Sequence, residues 1–508
     1  MGVETGSGRL CGAKKDGGLV FRGIPYAQPP VGPLRFRAPE PVIPWSGVRD
    51  ATEPAPAAPQ HSSPLVSALG MAVDRTAEDC LYLNVWTPGL EGPARPVLVW
   101  VHGGSYATGS ASLAAYDGGR MAFSGDVVVV AVQYRLGVLG SLDTSGVLGS
   151  DFSPDANCGL RDQTEALGWV QREIGRFGGD PQRVTVFGES SGAMSLAFLL
   201  ATGASRGLFH RAILQSGAAH YSSPPDQASR IATTFLGELG ISPGHASRLL
   251  ETPTDALLEA QRRTTERLAG TLWGGPWQPS IDGEILRGKP LDAIARGQSA
   301  EVELVVGTNS DEMRFWGMSD PGARDMDEAR LLRRVTRVLG LVAAEPADLA
   351  AEMVAGYRQA REGAGSDPAA IWFAIETDRL FRLPAIRLSE ARQRGGAKTY
   401  SYLFSWPSPA LEGWLGSCHT LEIPFVFGTY DLPGLRPWVG TGPETGQLSS
   451  QIQSAWLAFA RDGEPVLPSG PAWDPYDAAH RTTMRLDRTL EPLPDPHGVE
   501  RSCWKNLL

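Results

Sequence analysis

One short stretch of this sequence fixes its own geometry. Val184-Thr-Val-Phe187 is an apolar, β-branched run, and it leads directly into Gly188-Glu-Ser-Ser-Gly192 and then into a helical pattern from Ala193. A strand that turns into a helix within so few residues leaves no room for bulky neighbours, so glycines flank Ser190 at two residues' distance. The Ser190 hydroxyl is thereby set out at a helix N-terminus, where main-chain N–H groups and the helix dipole favour developing negative charge. The chain carries 60 glycines, so a bare G-x-S-x-G match says little. The strand before it and the helix after it make Ser190 a candidate nucleophile.

A serine hydroxyl needs a base within hydrogen-bond reach and a group that orients the base. For a nucleophile on such a turn, the chain order is serine, acid, histidine. Eight histidines are present, and all but His61 and His102 follow Ser190. Among His210, His220, His245, His419, His480 and His497, His419 stands out. It follows the loop Leu415-Gly-Ser-Cys418 and precedes a largely apolar run ending at Phe427. A histidine base would titrate near its ordinary range, about pH 6–7. The acid should follow a core strand. Val302-Glu-Leu-Val-Val306 is such a strand, and Asp311 and Glu312 both lie in the loop beyond it. The residues alone leave that choice open. A tetrahedral intermediate also needs donors aimed at its oxyanion. Trp100-Val-His-Gly-Gly-Ser-Tyr106 follows another strand and has the small residues that let main-chain N–H groups approach closely, with the amide after the nucleophile, Ser191, as a further donor.

The rest of the chain is consistent with a large α/β enzyme. Strand-like runs at Val97–Val101, Asp126–Val132, Arg183–Phe187, Arg211–Leu214 and Val302–Val306 alternate with helical patterns, which favours a mostly parallel sheet covered by helices. Apolar residues at Leu160, Ala166, Leu167, Val170 and Ile174 predict an amphipathic helix. Glu53 to Gln60 is Pro/Ala-rich and predicts irregular chain. Helical excursions at about 224–263 and 325–393 could cap a pocket within a single domain spanning 1–508. The formal charge of -10 argues against nucleic-acid binding. Five scattered cysteines without a CxxC pair argue against a disulfide framework or structural zinc. The most apolar runs are strand-sized, too short to span a membrane. The first ten residues hold no apolar leader, so cytoplasmic residence is the default expectation. Trp273, Trp277, Phe315, Trp316 and Trp414 are candidates either for a pocket lining or for core packing.

Several longer motifs go further. Phe21-Arg-Gly-Ile-Pro-Tyr-Ala27, Pro29-Pro-Val-Gly-Pro-Leu-Arg-Phe36, Glu78-Asp-Cys-Leu-Tyr-Leu-Asn-Val-Trp86, Gly159-Leu-Arg-Asp-Gln163 and Phe177-Gly-Gly-Asp-Pro181 accompany the serine motif. Together they resemble the type-B carboxylesterases, the family of cholinesterases and bacterial para-nitrobenzyl esterases, over most of the chain. The resemblance implies an α/β-hydrolase fold and hydrolysis of small-molecule carboxylic esters without a metal or organic cofactor. It places the nucleophile on Ser190, the acid on Glu312 and the base on His419. It puts the oxyanion amides on Gly104, Ser105 and Ser191, and a second polar network on Glu189, Ser216 and Glu422. It also implies the ion pairs Arg35–Glu78 and Arg135–Asp162. Four features depart from the pattern. Ser105 and Ser191 stand where the family often has glycine or alanine, and Cys418 sits unusually beside His419. Ala58 stands where a cysteine would pair with Cys80, so that disulfide should be absent. Lipase, thioesterase or amidase activity, or a catalytically silent cholinesterase-like binding protein, are the alternatives. Oligomeric state is not legible in the sequence.

Overall fold

The computed structural model describes residues 1–62, 72–272, 274–320, 322–361, 366–505 and 507. Its strands, in chain order, are β1 (Gly2–Thr5), β2 (Gly8–Cys11), β3 (Ala13–Lys15), β4 (Gly18–Pro25), β5 (Val48–Asp50), β6 (Tyr82–Thr87), β7 (Arg95–Val101), β8 (Val128–Val132), β9 (Gly179–Glu189), β10 (Arg211–Gln215), β11 (Glu303–Asn309), β12 (Thr399–Phe404), β13 (Thr483–Leu486) and β14 (Glu491–Leu493). Eleven of them form one sheet in the order β14-β13-β12-β11-β10-β9-β7-β8-β6-β4-β3. The centre, from β8 to β13, is parallel, and both margins are antiparallel. The remaining three strands form a small sheet, β1-β2-β5.

The continuous apolar runs are explained by burial on both faces of this sheet. Val97, Val99 and Val101 point into one apolar cluster with Val128, Val130, Val184 and Val186. Leu98 and Trp100, one residue out of phase, point into the opposite cluster with Val129, Phe187 and Val305. The five core strands read from the sequence are therefore β7 to β11, with ends that differ by a few residues. The predicted amphipathic helix spans Cys158–Glu173 and buries Leu160, Ala166, Leu167 and Val170. This mixed sheet, covered by helices on both faces, is an α/β-hydrolase fold.

The stretches read as helical, about 224–263 and 325–393, contain helices that pack into two further apolar clusters. Pro225–Glu238 and Thr254–Leu268 pack with Phe36, Leu142 and Trp277. Glu328–Leu339, Pro346–Ala360 and Pro368–Thr377 pack with one another and with Trp504. Among the described residues no helix is long and apolar enough to cross a membrane.

Both ion pairs implied by the resemblance are formed. Arg35 grips Glu78 with Nη2 at 2.5 Å and also donates to the carbonyls of Leu249, Leu250 and Thr252, tying the 224–263 stretch to the N-terminal segment. Arg135 meets Asp162 through two nitrogens, at 2.6 and 2.8 Å, with both side chains buried. All five cysteines are free thiols, and Cys80 lies in the same apolar cluster as Ala58. Burial pushes the Cys80 thiol well above its ordinary pKa. Asp162→Ala would leave the Arg135 charge buried and uncompensated. It should destabilise the fold by about 3–5 kcal/mol, read as a lowered midpoint in urea unfolding.

Candidate active site

Strand β9 ends at Glu189, and the helix Ser191–Leu200 starts two residues later. Ser190 between them has φ 53° and ψ -126°, a backbone conformation that side chains other than glycine rarely adopt. The surrounding structure holds it there: Ser190 N–H donates to Gln215 O at 2.9 Å, and Ser190 O accepts from Met194 N–H at 2.9 Å. The flanking glycines are required by contact. A Cβ on Gly192 would lie 2.1 Å from Val101 O, and one on Gly188 would lie 2.7 Å from the same oxygen.

His419 is fully buried and sits between two carboxylates. Its Nδ1 is 2.7 Å from Glu312 Oε2, and its Nε2 is 3.0 Å from Glu189 Oε1. Among the described residues the Ser190 hydroxyl makes no hydrogen bond, so in this structure the imidazole faces the residue before the serine. Burial alone lowers the imidazole pKa, but the two carboxylates outweigh it and raise it to about 10. That is well above the ordinary histidine range expected from the sequence. Burial raises the Glu189 pKa, with His419 opposing. Three rings surround the imidazole, with centroids at 4.7 Å for Trp316, 4.8 Å for Phe381 and 6.1 Å for Phe315.

Asp311 and Glu312, between which the residues alone left the choice open, are turned in different directions. Glu312 is fully buried against His419, and its Oε1 accepts from Asn309 N–H at 2.8 Å. Asp311 turns the other way, accepting from Ser417 N–H at 3.1 Å and pairing with Arg314 at 3.3 Å. Main-chain bonds Asp311 N–H to Ser417 O (2.9 Å) and His419 N–H to Glu312 O (3.2 Å) stitch the acid loop to the histidine loop.

Glu422 is buried behind this pair. Its oxygens accept from Gln215 Nε2 at 3.0 Å and Asn309 Nδ2 at 2.7 Å. Burial, with Glu189 and Glu312 nearby, raises its pKa to about 8. Ser216 has φ 50°, and its buried hydroxyl has no hydrogen-bond partner among the described residues. The bonds that Glu422 makes thus run through Asn309 and Gln215, neither of which sequence reasoning singled out. Asn309 sits within the acid loop motif, whereas Gln215 carried no separate signal.

The glycine loop after β7 takes left-handed turns at Gly104 (φ 119°), Ser105 (φ 56°) and Tyr106 (φ 59°). Among the described residues the N–H groups of Gly104, Ser105 and Ser191 have no hydrogen-bond partner. Gln60, a residue the sequence gave no reason to pick, clamps this loop. Its Nε2 donates to Gly109 O at 2.8 Å and to Ala58 O at 3.0 Å, and its Oε1 accepts from Gly109 N–H at 2.8 Å. His102 is buried and stacked on Tyr134, and burial lowers its pKa to about 4.

Ser190, His419, Glu189, Gly104 and Ser105 line one cavity of about 760 Å³, with Leu113, Tyr116, Phe315 and Trp316 as its apolar wall. Of the six histidines that follow Ser190, His419 alone lines it. Trp277 packs instead against Phe235, and Trp414 against Phe373. Trp273 lies outside the described residues. Among the described residues no cluster of three His, Cys, Asp or Glu side chains could hold a metal ion.

Ser190, His419 and the glycine loop after β7 thus meet at one cavity. A carboxylesterase family model matches residues 2–500, and the chain belongs to this family. Para-nitrobenzyl esterase of Bacillus subtilis (strain 168) is 37% identical over 503 residues, covering 98% of this chain and 97% of that protein. Acetylcholinesterase of Bungarus fasciatus is 34% identical over 544 residues, covering all of this chain and 86% of that protein. A crystal structure of a Geobacillus stearothermophilus carboxylesterase at pH 6.2 superposes with a TM-score of 0.87 at 36% identity, covering 99% of this chain and all of that one. The chain is a carboxylic ester hydrolase.

Gln60→Ala releases the glycine loop without touching Ser190 or His419. It should cut kcat for a 4-nitrophenyl ester by about 10- to 100-fold, with the melting temperature lowered by only a few degrees, as steady-state kinetics and calorimetry would show.

Proposed function

We propose that Ser190, His419 and Glu312 act as the catalytic triad of this esterase. The oxyanion would rest on the N–H groups of Gly104, Ser105 and Ser191. The observation that carries the reading is His419, held on Glu312 at 2.7 Å inside the cavity that Ser190 lines. As the ester enters, His419 Nε2 leaves Glu189 and takes the proton of Ser190. Contacts between such groups are often loose before substrate binds. Ser190 attacks the carbonyl carbon, and the three N–H groups stabilise the charge that gathers on its oxygen. The imidazolium then gives its proton to the departing alkoxide, leaving an acyl-Ser190. Water, deprotonated by the same nitrogen, releases the acid. Glu312 keeps Nδ1 protonated throughout and stabilises the imidazolium.

Glu189, Glu422 and Ser216 form a polar background to this cycle, with Glu189 as the resting partner of Nε2. The wall of Leu113, Tyr116, Phe315 and Trp316 favours uncharged esters with apolar or aromatic groups.

Ser190→Ala should abolish both the acyl-enzyme burst with 4-nitrophenyl acetate and the mass increment left by an organophosphate on the serine peptide; a persisting burst would reassign the nucleophile. Glu312→Gln should lower kcat by about 10⁴-fold, whereas Asp311→Asn should lower it far less.

The resting imidazole carries its proton until the pH approaches about 10. Because only its neutral form accepts the serine proton, activity should climb with pH on the alkaline side of the ordinary histidine range. Glu189→Gln removes one of the two charges that raise the pKa, so the acidic limb of kcat/KM should move to lower pH. A limb that stays in place would show that Glu189 does not face the working imidazole.

A further inference from the structure

The helix that begins at Pro368 is interrupted where it passes the active site. Pro368–Thr377 is α-helical, Asp378–Arg382 is a π turn, and α geometry resumes over Leu383–Arg394. In the wide turn, Leu383 N–H donates to Asp378 O, five residues back. Pro384 supplies a reason: it has no N–H to offer, and in a regular helix its ring would crowd the carbonyl of Leu380.

The consequence lies in what this turn touches. Thr377 Oγ1 accepts from Met313 N–H at 3.2 Å, immediately after Glu312. Arg382 Nη2 donates to Ser310 O at 3.0 Å, two residues before Glu312. Phe381 lies 4.8 Å from the His419 imidazole, centroid to centroid, and stacks on Trp316 at 5.8 Å. One six-residue segment therefore holds the acid loop on both sides and covers the imidazole. At about 100° per residue, a regular α-helix would carry residue i+5 well off the face of residue i. The widened turn brings Arg382 back toward the face of Thr377.

The turn is itself anchored. Asp378 binds Arg382 Nη1 and the Tyr357 hydroxyl, and Tyr357 accepts from Trp504 Nε1 at 2.7 Å. All of these groups are buried.

We infer that the π turn is a brace for the Glu312–His419 pair, with Thr377, Phe381 and Arg382 as positioning residues. The inference rests on the triad reading above. Its signature is a loss in kcat at constant KM, together with an acidic limb moved to lower pH. A loosened Glu312 raises the imidazole pKa less.

The test compares Thr377→Val, Thr377→Ser and Phe381→Leu with Glu312→Gln, using 4-nitrophenyl acetate across the pH range and thermal unfolding as the control for folding. Thr377→Val and Phe381→Leu should each lower kcat by about 10- to 100-fold, leave KM within twofold and move the limb to lower pH. Thr377→Ser keeps the accepting oxygen and should restore both. The brace is overturned if the two variants keep kcat and the limb unchanged while Glu312→Gln loses its activity. It is equally overturned if kcat falls only in step with the folded fraction. If Glu312→Gln itself keeps full activity, the triad reading fails instead, and the brace has nothing to position.

Discussion

An imidazole buried between two buried carboxylates is the interaction around which this structure is arranged. Glu189 and Glu312 lie out of water against one titratable ring, with Glu422 buried behind them, and burial penalises every charge placed there. The ring offsets part of that cost by holding its proton strongly. Amide donors offset more, since Asn309 and Gln215 satisfy both oxygens of Glu422 and the Asn309 N–H satisfies Glu312. Positions far from the ester bond are thus constrained by electrostatics in the core.

Geometry at the serine imposes a second constraint. Ser190 holds a strained backbone because β9, the following helix and the end of β10 all fix its neighbours. The strain persists only when the surroundings over-determine it. The close approach of Gly188 and Gly192 to Val101 O joins the serine turn to the end of β7, where the glycine loop begins. The serine turn and the glycine loop are therefore parts of one packed junction.

Much of this was legible in the sequence, and the reasons differ by element. The core strands could be read because burial on both faces demands unbroken apolar runs. Ser190 could be read because the turn it occupies demands glycines at fixed distances. The residues alone did not separate Asp311 from Glu312, since adjacent carboxylates in a loop differ only in which way the chain turns them; the family resemblance pointed to Glu312. Gln60, Thr377 and Arg382 were not legible at all. Each acts through a single hydrogen bond or a few to a main-chain group far away in sequence, and such bonds leave no periodic trace. The contact of His419 with Glu189 was equally hidden, because it depends on the orientation of one ring.

The strand order has a bearing on how the molecule comes into being. The groups that meet at the cavity are drawn from Gln60, the loop after β7, the end of β9, the loop after β11 and a loop beyond β12. Pairings between distant segments are slow to form, because the entropy of closing long loops is lost before contacts compensate for it. No early fragment leaving the ribosome contains the whole constellation, and the buried bond between Trp504 and Tyr357 joins segments 147 residues apart. The cavity is thus completed only once segments from Gln60 to Thr420 have come together.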